Sequence, residues 1–75
     1  MISKTIFLTE IEDVMEFVNQ TERCSYEIDI EVDNCVINAK SILGMLSKGT
    51  HRVIQMDIHA EKADDLMEKI GRFCV

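Results

Sequence analysis

At 75 residues the chain has room for one domain spanning 1–75, with 47% apolar and 29% charged residues in the ordinary globular range. Fourteen acidic against eight basic side chains leave a net charge of -6, which repels phosphate backbones and argues against direct nucleic-acid binding. No apolar run approaches the ~20 residues of a membrane span and no leader pattern opens the chain, so a cytoplasmic protein is expected. Cys24, Cys35 and Cys74 are odd in number and widely spaced, which suggests neither a disulfide framework nor a zinc site.

Taken in chain order, Ser3–Leu8 alternates loosely and contains the β-branched pair Thr5 and Ile6, which suits a first strand. Thr9 followed by Glu12 reads as a capping box that opens a helix. Ile11, Val14, Met15 and Val18 then supply its core-facing stripe, with an end near Gln20. From Ser25 to Val32, Tyr26, Ile28, Ile30 and Val32 alternate with Glu27, Asp29 and Glu31, predicting a strand with one buried and one acidic face. Asp33-Asn34 tolerates tight-turn geometry, so Cys35–Ala39 returns as the partner of an antiparallel hairpin.

Ser41 opens a short helix through Ile42, Leu43, Met45 and Leu46 that is expected to stop by Gly49. Val53–Ile58 reads as a fourth strand. Ala63, Leu66, Met67, Ile70 and Phe73 trace the apolar stripe of a last helix from about Glu61. The order β-α-β-β-α-β-α, with hairpins and short helical connections, points to an α+β fold: a four-stranded, mostly antiparallel sheet with three helices on one face and the other face open. No ligand cluster, glycine-rich phosphate loop or catalytic triad is visible, so no cofactor, no metal and no enzyme activity are expected.

The run Asn38-Ala39-Lys40-Ser41-Ile42-Leu43-Gly44-Met45-Leu46-Ser47-Lys48-Gly49 resembles the regulatory-serine motif of HPr, the phosphocarrier family of the bacterial sugar phosphotransferase system. The element order agrees with that family's open-faced β-sandwich. The resemblance implies that Ser41 is a site of regulatory phosphorylation by an HPr kinase-like enzyme, with a transcriptional regulator or other phosphotransferase-system proteins as partners. It also implies a partner-binding patch of Ile42, Leu43, Met45 and Leu46 beside Lys40.

The carrier motif of that family, Gly-X-His-Ala-Arg-Pro between the first strand and first helix, has no counterpart. Leu8-Thr9-Glu10-Ile11-Glu12-Asp13 stands there, and an ungapped count from Ser41 puts Glu10 at the phosphohistidine position and Glu12 at the arginine. Three carboxylates repel a phosphoryl donor, and no guanidinium stabilises the transferred group. The chain therefore resembles a histidine-less, Crh-like variant, a regulatory or adaptor module that is monomeric or weakly homodimeric. The alternatives are a degenerate scaffold used only for interaction or dimerisation, and a carrier with an unconventional acceptor. Glu10 as a permanent imitation of phosphohistidine competes with a plainer role, since acidic groups favour the positive end of a helix. His51 and His59, far along the chain from this loop, read as ordinary histidines.

Overall fold

The computed structural model describes residues 1–48 and 50–75. Strand β1 (Ile2–Leu8) leads to helix α1 (Ile11–Glu22), strands β2 (Ile28–Val32) and β3 (Cys35–Asn38), and helix α2 (Ile42–Lys48). Strand β4 (Arg52–Ile58) and helix α3 (Asp64–Ile70) follow, with a short 3₁₀ turn over Gly71–Phe73. The strands form one antiparallel sheet in the order β1-β4-β2-β3. This is the α+β architecture expected, with the helices against one face.

Alternation places the core. Ile6 and Leu8 of β1, Ile28, Ile30 and Val32 of β2, and Ile54, Met56 and Ile58 of β4 all turn to the helix side and are buried. Their sequence neighbours Thr5, Glu31 and Gln55 face the open side. Registers Ile6↔Ile54 and Ile30↔Met56 keep the apolar sets on one face, and a one-residue slip would send each of them to water. Asp33 and Asn34, at φ 51° and 63°, form the two-residue turn that closes β2 onto β3 with Val32 opposite Cys35.

Helix α1 departs from the expected stripe. Val14, Phe17, Val18 and Thr21 are the buried residues, whereas Ile11 and Met15 remain 59% and 56% exposed. Phe17 meets Phe73 edge to face with 6.5 Å between ring centres, so the aromatic pair rotates the helix toward its 14/17/18/21 side. The cap also sits one residue later than Thr9–Glu12: Glu10 is the N-cap, and its amide donates to Asp13 Oδ2 at 3.3 Å. Thr9 supports it from outside the helix, its hydroxyl donating to the same oxygen at 3.0 Å.

Other boundaries move too: β1 begins at Ile2 and β4 at Arg52, each one residue early, and α1 runs on to Glu22. β2 begins at Ile28 rather than Ser25, because Ser25 and Tyr26 bend out of the extended line. β3 ends at Asn38, one residue before Ala39. α3 starts at Asp64 rather than near Glu61, with Ala63 as its N-cap. The expected stop at Gly49 falls outside the described residues.

Thr21 is the one fully buried polar side chain among the described residues, and its place is structural. Its hydroxyl lies 2.9 Å from the Val18 carbonyl oxygen and 3.2 Å from that of Ala39, joining α1 to the start of the α2 segment. Thr21→Val keeps the shape but leaves the buried Ala39 carbonyl without this donor, at a cost of about 1–3 kcal/mol. Thermal unfolding should show a fall of roughly 4–8 °C per kcal/mol lost.

Candidate functional site

The motif around Ser41 folds into a compact corner. Ala39 is buried and hands its amide to the Ile28 carbonyl at 2.9 Å, so the chain stays in register with β2 to the end of the hairpin. Asn38 then turns it: its side-chain oxygen accepts the Lys40 amide at 2.9 Å and its carbonyl accepts the Ser41 amide at 2.9 Å. Ser41 is exposed at the head of α2, where its Oγ accepts the Gly44 amide at 3.4 Å and its carbonyl accepts the Met45 amide. It therefore caps the helix and still presents its hydroxyl to solvent.

Gly44 has a packing reason. A Cβ there would stand 3.0 Å from Ile37 Cγ2 on β3, so a larger residue needs that side chain to give by a few tenths of an ångström. The ammonium of Lys40 is engaged, donating to the Cys24 carbonyl at 2.9 Å. It thus ties the end of α1 to the α2 segment instead of standing free beside Ser41.

Four apolar neighbours on a seven-residue helix divide as its geometry requires. Met45 is fully buried and contributes no surface, which corrects its place in the expected patch. Ile42 is half-buried against the core. Leu43 is 78% and Leu46 39% exposed. Helix α1 packs against α2, and it exposes Ile11 and Met15. Those two α1 residues were missed as surface because their i, i+4 spacing fits a core stripe as well as the 14/17/18/21 face does.

Glu10 and Glu12 are exposed at the α1 start, and Asp13 is held there by its two donors. The Glu10 amide and the Thr9 hydroxyl hold the Asp13 carboxyl below its ordinary pKa. His51, forty residues further along, sits beside this loop in space: its amide donates to the Leu8 carbonyl at 2.8 Å and its φ is 59°. Distance along the chain therefore misplaces it, because the β1–β4 pairing brings Leu8 opposite Arg52. His59 lies on the open face with its ring 2.8 Å from Asp29.

The open face carries the acidic cluster that the alternation implies. Asp57 accepts from Ser3 at 2.8 Å and from Gln55 at 3.0 Å, bonds that lower its pKa. Glu31 beside it is raised, first by sharing a hydrogen bond with Asp57 and then by that carboxylate's charge. At the hairpin end Arg52 pairs with Asp33. Among the described residues no three side chains are arranged to hold a metal ion, and no helix is long and apolar enough to cross a membrane.

No protein-family model matches the chain, and no curated protein does. Solved structures do. The crystal structure of HPr-C-His from Thermoanaerobacter tengcongensis superposes with a TM-score of 0.75 at 25% identity, over 96% of this chain and 89% of that one. The phosphocarrier protein HPr from Bacillus anthracis str. Ames gives 0.73 at 25% identity, over 99% of this chain and 96% of its own. The fold is that of the HPr phosphocarriers, along nearly the whole length of both.

Because the folded state lowers the Asp13 pKa from 3.8, the stabilisation it supplies is present above that value and is lost as pH falls through the folded pKa. In the wild type, hydrogen-exchange protection of the Glu10 amide should persist as pH falls to 3.8 and drop only on further acidification. In Asp13→Asn that step should be absent.

Proposed function

We propose that this chain is an HPr-like regulatory module of the phosphotransferase-system type, working in the cytoplasm, which carries no phosphate between enzymes and is switched by phosphorylation of Ser41. One observation carries the reading. The serine motif is intact and its hydroxyl is exposed at a helix start, while the loop at the family's carrier position holds Glu10, Glu12 and Asp13. A phosphoryl group entering that loop would meet carboxylates; one entering at Ser41 meets the first-turn amides of α2.

Ser41 phosphate would add about two negative charges to a chain already at -6, a large local change for a partner to read. Leu43 and Leu46 of α2, with Ile11 and Met15 of α1, are the exposed apolar side chains of the two helices next to it. They form the proposed partner surface, with half-buried Ile42 at its margin and Lys40 acting from behind as a strut. Flexible methionine and leucine suit a surface that adapts to its partner. Expected partners are an HPr kinase-like enzyme and a transcriptional regulator or another protein of the same system. Glu10, at the position of the family's phosphohistidine, is read here as a helix cap with a fixed negative charge.

The second reading, a phosphoryl carrier with an unconventional acceptor, has one observation in its favour: the exposed His51, in left-handed backbone geometry, donates its backbone amide to Leu8 at the end of β1, two residues before Glu10. Both readings are tested on the same protein. Incubation with ATP and a bifunctional HPr kinase should add the mass of one phosphate, and Ser41→Ala should abolish it. Incubation with enzyme I and phosphoenolpyruvate should add none; a phosphate that disappears in His51→Ala would establish the carrier and overturn the regulatory assignment. Leu43→Glu, at an exposed position, should change stability by no more than about 0.5 kcal/mol while weakening capture of the phosphorylated form by its regulator.

A further inference from the structure

The two edges of the sheet are treated differently. On the outer side of β1, the C-terminal residues run back along the strand: Cys74 bridges to Ile6 and the Val75 amide donates to the Thr5 carbonyl at 3.0 Å. That edge is thereby partly closed, and it carries Lys4. The β3 edge has none of these devices. Asn34 to Ala39 contains no Asp, Glu, Lys, Arg or Pro, and Val36 on it is 64% exposed.

Peptide planarity fixes which groups this edge offers. The Ala39 amide points inward to the Ile28 carbonyl, and β2–β3 pairing alternates back from there, so residues 35 and 37 also face β2. Because each trans peptide sets its carbonyl opposite its N–H, the outer side carries the Asn34 carbonyl, both groups of Val36, and the Asn38 amide. The Asn38 carbonyl faces outward too, but it already accepts from Ser41. Read along the edge, the pattern is acceptor, donor with acceptor, donor.

That pattern is its own complement under a two-fold axis. We infer that β3 is a self-association edge, pairing antiparallel with β3 of a second copy, with Val36 opposite Val36 and Asn34 opposite Asn38. Four hydrogen bonds result: Val36 N–H to Val36 C=O in both directions, and Asn38 N–H to Asn34 C=O in both directions. A two-fold normal to the sheet maps each face onto itself, so residues can align only with partners of the same face. The Val36-centred register meets that condition while filling every free group named above.

Charge limits where a second copy can approach. Two chains of net charge -6 repel through most of their surfaces, and the uncharged Asn34–Ala39 strip is where they can approach. The contact is a strand edge, well below the ~800 Å² per partner of a stable interface, so the dimer is weak but is populated at ~1 mM. Added salt screens the repulsion and strengthens it.

Sedimentation equilibrium and amide NMR of the full chain, from ~10 μM to ~1 mM, test the inference. The weight-average mass should rise toward twice the 8.6 kDa monomer, with shifts centred on residues 34–38. Val36→Pro removes an outward amide that the intrachain ladder does not use, and should weaken association at least ~10-fold while circular dichroism stays that of the wild type. Val36→Lys, which sets like charges face to face at an exposed position, should do the same if the proline variant misfolds. In Cys35→Ser/Val36→Cys, oxidation should trap a disulfide dimer, since opposed residues stand ~5.5 Å apart between Cα atoms. A monomer throughout at 1 mM overturns the inference. So do association unchanged by both Val36 variants, and shifts confined to Ile11, Met15, Leu43 and Leu46.

Discussion

Strand β4 is the member on which the rest of the structure depends. It lies between β1 and β2, so its register with each decides which face of the whole sheet is apolar. Ile54, Met56 and Ile58 must all turn to the helix side, and the three helices exist as ordered elements because that face needs covering. Even the position of His51 beside the β1–α1 loop follows from β4 starting opposite Leu8.

The Ser41 corner shows how a short helix is held in place where propensity alone is too weak. A seven-residue helix has too few internal hydrogen bonds to persist alone. It is anchored at both ends of its approach: Asn38 turns the chain, Thr21 and Lys40 tie its lead-in to α1, and Met45 plugs the core. The motif residues are thus largely accounted for by packing, with Gly44 admitting Ile37 and Ala39 filling a buried site. The exposed hydroxyl of Ser41 and the side chains of Leu43 and Leu46 are what packing leaves in solvent.

The acidic groups fall into two unlike sets. Those at the α1 start are favoured by the helix and bonded to its first amides, so they stabilise the fold at neutral pH. Those on the open face crowd one another, and Glu31 holds its proton more tightly because Asp57 is next to it. On the sheet, Gln55 and Ser3 favour the ionised form of Asp57, so neighbouring carboxylates there are affected in opposite directions.

Several features were legible in the amino-acid order alone. Strict alternation in β2, the Asp33-Asn34 turn and the Ser41 cap are local, since each depends on neighbours within a few residues. The carboxylates that follow β1, Glu10, Glu12 and Asp13, are likewise a matter of reading. Which side of α1 faces inward was not decidable locally, because two overlapping stripes fit the helical period and only contact with Phe73 selects one. The cap moved from Thr9–Glu12 to Glu10–Asp13 for a similar reason: the chain entering from β1 sets where the first helical turn can begin. The split of α2 into buried Met45 and exposed Leu43, the engagement of Lys40, and the unequal edges of the sheet are long-range outcomes. The sequence by itself determined the elements and the chemistry they carry; tertiary structure decided which of those side chains meet, because burial is settled by surfaces that approach from distant parts of the chain.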